Sequence, residues 1–305
     1  MKQTVISLLL VLLSLQMAWS QASPAQRLRN AKDREHVFVA AHRADWKYAP
    51  ENSLQALKNA IFFGADIIET DVRRTSDGHF IMMHDATVNR TTNGTGTISQ
   101  MTLDEIRTLQ LKTNWGQSTQ LPVPTLDEFI EEARGRSCLY LDKAGIDLPG
   151  AEEGSTVRAL LQVLRKHGTL GETMFVLDWP YAKARRIFGT ALDSVIYCPV
   201  IDDRIEGLAN YVEEYIRELH PVAFQFRMAT TESETFRQLH RVLSSGSRAF
   251  TAATWPQHTA GHDDLVSIFQ RPSAGWGWLV EQGFTILETN FPKDLIDYLR
   301  TERRH

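Results

Sequence analysis

Ala65-Asp66-Ile67-Ile68-Glu69-Thr70-Asp71-Val72-Arg73 is a β-branched, apolar run with two carboxylates set into it. It follows Gly64, which closes the helical pattern Ser53–Phe63, and that pattern follows a shorter strand-like run, Val37–Ala41. Strand, helix, strand is the unit of a parallel sheet, and the alternation continues along the chain. Further strands are expected at Cys138–Leu141, Thr173–Leu177, Ser194–Pro199, Val222–Phe226, Ala249–Thr254 and Thr285–Glu288. The clearest helical patterns between and after them are Thr156–His167, Ile205–Leu219, Glu232–Leu243 and Trp276–Gln282. Eight strands alternating with helices over about 250 residues predict an α/β fold, a (β/α)8 barrel. A doubly wound open sheet would want a glycine-rich turn after its first strand, and His42-Arg43-Ala44-Asp45 offers none.

About 65 residues separate the second and third strands, far more than one helix needs. A hairpin is expected across Ser76-Asp77-Gly78, then the polar segment Thr91–Gly96 and helical pieces at Leu103–Leu109 and Leu126–Ala133. Loops after barrel strands carry the site, so this insertion, about residues 74–124, is expected to be functional. Residues 21–305 read as one domain.

Composition sets limits. The 305 residues carry 33 basic and 37 acidic side chains, a formal charge of −4, and 43% are hydrophobic. That is ordinary globular composition without the basic excess of a nucleic-acid binder. Two cysteines, Cys138 and Cys198, are too few for a disulfide framework and read as buried thiols. Lys2, the apolar run Val5–Leu15 and the small residues around Ala18-Trp19-Ser20 form a signal-peptide pattern, so residues 1–20 are expected to be removed on export. The run is too short to span a bilayer comfortably, and no stable membrane anchor is expected.

In the second strand Glu69 and Asp71 share a face, because side chains alternate with period two. Neighbouring carboxylates at a strand's C-terminal end need positive charge between them, from a hard divalent cation or from Arg and Lys partners. The first strand runs into His42-Arg43, the hairpin delivers Met83-His84-Asp85, and the third strand ends Leu141-Asp142-Lys143. Two histidines near a cation suit acid–base work, since imidazole titrates near neutrality, whereas a lone histidine such as His42 at a strand end is more often structural than catalytic.

These pieces resemble the glycerophosphodiester phosphodiesterase family. The resemblance rests on His42-Arg43, Pro50-Glu51-Asn52-Ser53, Glu69-Thr70-Asp71-Val72, Thr75-Ser76-Asp77-Gly78, His84-Asp85, Arg90–Gly96, Pro124-Thr125-Leu126 and Glu288-Thr289-Asn290-Phe291-Pro292. It implies a TIM barrel with a small insertion after its second strand, one divalent cation (Ca²⁺ or Mg²⁺) and two catalytic histidines. By position, Glu69, Asp71 and Asp142 would hold the cation, and His42 and His84 would be acid and base. Arg43 and Lys143 would bind the phosphate, and Trp255 would line the mouth against an alcohol or sugar moiety. The implied partner is a small-molecule phosphodiester, cleaved to glycerol 3-phosphate and an alcohol.

The chain departs from the family twice. The family's Glu-x-Lys becomes Asp142-Lys143 with Ala144 in the second position, which leaves the direction of Lys143, and its phosphate role, open. The late Thr-Asp-x-Pro becomes Thr289-Asn290-Phe291-Pro292, losing a carboxylate whose role is expected to be mainly structural. Both histidines and three carboxylates are kept, which favours an exported, metal-dependent phosphodiesterase over a non-catalytic barrel binding headgroups or glycans. A phospholipase D-like lyase that stops at a cyclic phosphate needs the same groups and stays open. The cluster Trp255, His258, His262, Asp263, Asp264 reads as a solvated loop with a helix N-cap, and Arg300–His305 as a solvated helix end.

Overall fold

Eleven strands run in chain order as β1 (Phe38–Ala41), β2 (Ile67–Arg74), β3 (Phe80–Met82), β4 (Gln110–Lys112), β5 (Ser118–Pro122), β6 (Cys138–Asp142), β7 (Thr173–Leu177), β8 (Ile196–Asp202), β9 (Ala223–Arg227), β10 (Arg248–Ala252) and β11 (Phe284–Thr289). In this computed structural model, which describes residues 22–305, eight of them form one closed parallel sheet. The order is β1-β11-β10-β9-β8-β7-β6-β2, and β2 returns to β1 to close the barrel. The fold is a (β/α)8 barrel, and each of its strands coincides with an apolar run of the sequence. The signal-peptide pattern lies outside the described residues.

Strand alternation separates two cores. Phe38, Ile67, Cys138, Tyr140, Met174, Ile196, Cys198, Phe250 and Ile286 point inward and fill the barrel, and both cysteines are free thiols there. Val39, Ile68, Leu139, Phe175, Tyr197, Phe224 and Leu287 point outward and pack under the helices. The helix Ser155–His167 shows how the outer layer is held: Val157, Leu160, Leu161 and Leu164 recur on one face and are buried. Each such side chain contributes about 1.5–3 kcal/mol on leaving water. Gly168 ends that helix in the left-handed region, at φ +69°, with its N–H donated to Leu164 and Arg165 carbonyls.

Two expected helices differ in detail. The pattern from Ile205 becomes helical only at Leu208, because Gly207 takes φ +65°. The pattern Glu232–Leu243 divides into Glu234–Arg237 and Leu239–Ser244 around Gln238. The insertion has its own small core of Ile81, Met83, Val88, Ile98, Ile106, Leu111 and Val123. The Ser76-Asp77-Gly78 turn lets β3 pair antiparallel to β2, Val72 opposite Met82. The β4–β5 hairpin was not evident in the sequence, because its residues are mostly polar and half-exposed.

Residues Arg300–Arg303 form the exposed helix end expected, but Arg304 and His305 beyond it are docked rather than solvated. The Val37 N–H donates to the Arg304 carbonyl at 2.7 Å. The buried His305 ring lies 3.2 Å from the Val37 carbonyl and 3.0 Å from that of Gly64.

Candidate active site

The polar groups gather where the apolar filling of the barrel stops. On β2 the inward series Ile67, Glu69, Asp71 passes from apolar to acidic, and register places Asp71 beside Asp142 of β6. Carboxylate oxygens of Glu69, Asp71 and Asp142 all lie within 4.8 Å of one another. Glu69 and Asp71 are buried, at 2% and 1% exposure. Burial, then the charge of Asp71 and of Glu288, raises the Glu69 carboxyl well above its ordinary range. Burial and the Asp142 charge raise Asp71. Three hard oxygen donors whose charges are mutually unfavourable fit a divalent cation, so the donor set suits the group the family pattern implies.

Positive charge reaches this cluster from two strand ends. After β1 the chain turns sharply, with Arg43 at φ 51° and Ala44 at φ 62°. The Arg43 N–H donates to Glu69 Oε2 at 2.6 Å. Its guanidinium pairs with Glu51 at 3.1 Å and stands 3.7 Å from Asp71 Oδ2. Lys143 also enters the mouth: its Nζ is 2.6 Å from Asp142 Oδ2 and 3.8 Å from Asp71 Oδ1. Strand parity alone would have turned it away. Its φ of 62° breaks the alternation immediately after the strand, settling the direction that the sequence left open. Burial pushes Asp142 up, but the adjacent Lys143 ammonium brings it below the usual carboxylate range.

The histidines occupy different settings. His42 is mostly buried, and its Nε2 is 4.0 Å from Glu69 Oε2. Burial, then the Arg43 charge, pushes its pKa down to about 4, so the ring is neutral at pH 7. His84 is brought to the mouth by its neighbour, since the Met83 N–H donates to the Asp71 carbonyl at 2.8 Å. Its Nδ1 lies 2.8 Å from Asp85 Oδ1. Asp85 is fixed by Arg90, whose hydrogen bonds hold that carboxyl well below its ordinary range. Arg90 also grips both oxygens of the buried Glu51, each at 2.8 Å. A cavity of about 270 Å³ opens over His42 and Arg43, with Trp46, Asn114, Trp255 and Asn290 among its lining. A larger open groove of about 670 Å³ beside Tyr211 and Glu214 shares no lining residue with it.

The mouth therefore brings together every residue singled out from the sequence: His42, His84, Glu69, Asp71, Asp142, Arg43, Lys143 and Trp255. Sequence reasoning missed several others. Glu288 points inward from β11, 5% exposed, and burial plus the Asp142 charge push its pKa up to about 8. The inward series Ile286, Glu288, Asn290 could have revealed it. Asn290, where the family pattern has a carboxylate, touches the His42 ring at 2.8 Å. Asn52, held at φ 56°, donates to Asp71 Oδ2 at 2.9 Å and accepts the Asp71 N–H. Arg227 ends β9 with its Nε buried and without a hydrogen-bond partner among the described residues.

The late acidic cluster is not a solvated loop. Asp263 caps the helix Asp264–Phe269, as expected. Asp264 is buried and accepts hydrogen bonds from Trp276 Nε1, Thr289 Oγ1 and the Asn290 N–H. His262 stacks on Trp278 at 3.8 Å between ring centres.

The profile of the glycerophosphoryl diester phosphodiesterase family matches residues 42–239, the stretch that carries His42, Glu69, Asp71, His84 and Asp142. The chain belongs to this family. A second profile, described only as a domain of unknown function, matches residues 197–299. A glycerophosphodiester phosphodiesterase of Caldanaerobacter subterraneus subsp. tengcongensis is 44% identical over 121 residues, 38% of this chain and 50% of that protein. One from Bacillus subtilis is 32% identical over 148 residues, 45% of this chain and 49% of that protein. The aligned stretch thus spans half or less of these curated relatives. Among solved structures, a glycerophosphoryl diester phosphodiesterase from Parabacteroides distasonis superposes with TM-score 0.74 at 23% identity, covering 92% of this chain and 93% of the other. A phosphodiesterase from Oleispira antarctica, in complex with the product sn-glycerol-3-phosphate, superposes at TM-score 0.64 and 21% identity, covering 87% and 96%. These likenesses show the barrel fold a second, independent way.

Proposed function

We propose that this family member is a divalent-cation-dependent phosphodiesterase that hydrolyses glycerophosphodiesters to glycerol 3-phosphate and an alcohol. The observation that carries the reading is the convergence at one barrel mouth of three carboxylates, two histidines in unlike settings and two cationic side chains. The family membership and a neighbour holding sn-glycerol-3-phosphate support the substrate class. Glu69, Asp71 and Asp142 would hold the cation, Ca²⁺ or Mg²⁺ by their hard oxygen donors. When bound, it supplies Lewis-acid neutralisation of the phosphate charge.

The remaining work falls to the protein's own side chains. Arg43 presents a planar fork to phosphate oxygens, positioned by Glu51 and by its backbone bond to Glu69. Lys143 can leave Asp142 for a phosphate oxygen, because its stem is flexible and its ammonium is a point charge. His42, neutral at pH 7, takes a proton from the attacking water as the P–O bond forms. His84, its Nδ1 oriented by Asp85 Oδ1 at 2.8 Å, gives a proton to the departing alkoxide as the other P–O bond breaks. Trp46 and Trp255 flank the cavity where an alcohol moiety would lie.

We read the leader pattern Lys2, Val5–Leu15 and Ala18-Trp19-Ser20 as export, giving a periplasmic or secreted enzyme. Among the described residues no helix is long and apolar enough to cross a membrane. Phosphorus NMR over a panel of glycerophosphodiesters, lysolipids and sugar phosphodiesters, with and without chelator, tests the activity. Glycerol 3-phosphate should appear only with a divalent cation. A cyclic phosphate as the end product would replace hydrolysis by lyase chemistry, and no turnover at all would favour a binding role. N-terminal sequencing of the fractionated protein tests export, since an intact residue 1 would refute cleavage.

A further inference from the structure

One amide oxygen near the mouth has two nitrogen neighbours. Asn290 Oδ1 lies 2.8 Å from His42 Nδ1 and accepts the Trp46 indole N–H at 3.0 Å. An indole nitrogen can only donate, whereas an asparagine amide can present either an acceptor or a donor. With Trp46 in place, the atom of Asn290 at this point must be the oxygen, since the flipped amide would set N–H against N–H. The same oxygen faces His42 Nδ1, so that nitrogen must carry the hydrogen. Neutral His42 is then the Nδ1–H tautomer, with its lone pair on Nε2, the nitrogen 4.0 Å from Glu69 Oε2.

The surroundings fix the pieces this logic needs. The Asn290 N–H donates to Asp264 Oδ2 at 2.8 Å, and Asp264 is itself held by Thr289 and Trp276. Asn114 donates to the Trp46 carbonyl at 2.9 Å. The backbone of each partner is tied down, which leaves the side-chain amide of Asn290 as the element free to flip. A carboxylate at position 290 would accept from both donors in any orientation. The asparagine found here is what makes an orienting donor necessary.

We propose that Trp46 is a positioning residue: through Asn290 its indole N–H fixes the tautomer of His42 and keeps the Nε2 lone pair toward the reacting phosphodiester. The catalytic consequence rests on the reading of His42 as the base; the tautomer itself does not. A hydrogen bond to one ring nitrogen fixes a histidine's tautomer and so decides which nitrogen reacts.

Long-range proton–nitrogen NMR of histidine-labelled protein without cation, at pH 7.5, reads the tautomer directly. In the unmodified protein His42 should show a protonated Nδ1 and an unprotonated Nε2. The Nε2–H form there would overturn the proposal without any variant. Trp46→Phe keeps an aromatic side chain and removes the donor, so both amide orientations become accessible. The Nδ1–H population should fall from nearly all to about half, and kcat by about twofold in proportion to it. Adding Asn290→Asp to Trp46→Phe should restore the Nδ1–H form. An unchanged tautomer in folded Trp46→Phe would refute the role of Trp46. A shifted tautomer with unchanged kcat would uphold it and refute instead His42 as the base.

Discussion

Replacing Glu288 by glutamine should stabilise the cation-free protein at neutral pH and leave it almost unchanged in acid. Glu288 is 5% exposed, its carboxyl is shifted from 4.5 up to about 8, and burial is the main cause, followed by the Asp142 charge. The folded state therefore binds a proton that the unfolded chain has released, and stability falls as pH rises through the window from 4.5 to about 8. At pH 7 the solution is about 2.5 pH units above the unfolded carboxyl's pKa, at about 1.4 kcal/mol per unit, so keeping Glu288 neutral costs about 3 kcal/mol. At pH 4 the corresponding cost nearly vanishes, because the unfolded carboxyl is mostly protonated too. Glutamine has the same shape and no proton to hold, so it removes this cost. For a chain of this size about 3 kcal/mol corresponds to a Tm rise of about 6 °C. Calorimetric melting of Glu288→Gln beside the unmodified protein, in chelator at pH 4 and pH 7, measures the difference. A gain of similar size at both pH values, or a loss at pH 7, would refute the argument that Glu288 is held neutral by its surroundings. Saturating divalent cation should shrink the gain at pH 7, since added positive charge favours the ionised carboxylate.

Glu69→Gln and Asp71→Asn should each weaken divalent-cation binding by at least about tenfold in titration calorimetry and abolish turnover, while the fold survives; unchanged affinity in both would refute the ligand assignment. Lys143→Met removes a cation 2.6 Å from Asp142 and 3.8 Å from Asp71, so cation affinity should rise while KM for the diester also rises. A fall in cation affinity would show Lys143 to be an organiser of the site and not a competitor within it. His42→Ala and His84→Ala should both cost about 10²–10⁴ in kcat on an alkyl diester. With a nitrophenyl leaving group, which departs with little protonation, only the His84→Ala loss should be largely recovered. Recovery in His42→Ala instead would exchange the two roles.

The fold was legible because a barrel strand is a short apolar run flanked by turn signals, and eight such runs are hard to miss. Positions governed by simple alternation were equally legible: Glu69, Asp71 and Asp142 follow from period two along β2 and β6. Alternation failed where the backbone leaves the β region. Lys143 at φ 62° is the clearest case, since one left-handed residue returns to the mouth a side chain that parity would send outward. Neither Lys nor its neighbours advertise that conformation, which costs about 1 kcal/mol or more for a residue with a Cβ. The ion pair with Asp142 and the attraction of Asp71 offset it. The same limit hid Asn52, whose φ of 56° turns its amide onto Asp71. Glu288, noted in the late motif, was given no place in the site for another reason. In a sequence it is one acid among 37, and only closure of the barrel, which sets β11 beside β1 and Glu288 opposite Ala40, shows that it has no way out to solvent. Local pattern reports which face a side chain takes. What shares that face is decided by strands distant in the chain, about 70 residues apart for Asp71 and Asp142 and 248 for His42 and Asn290.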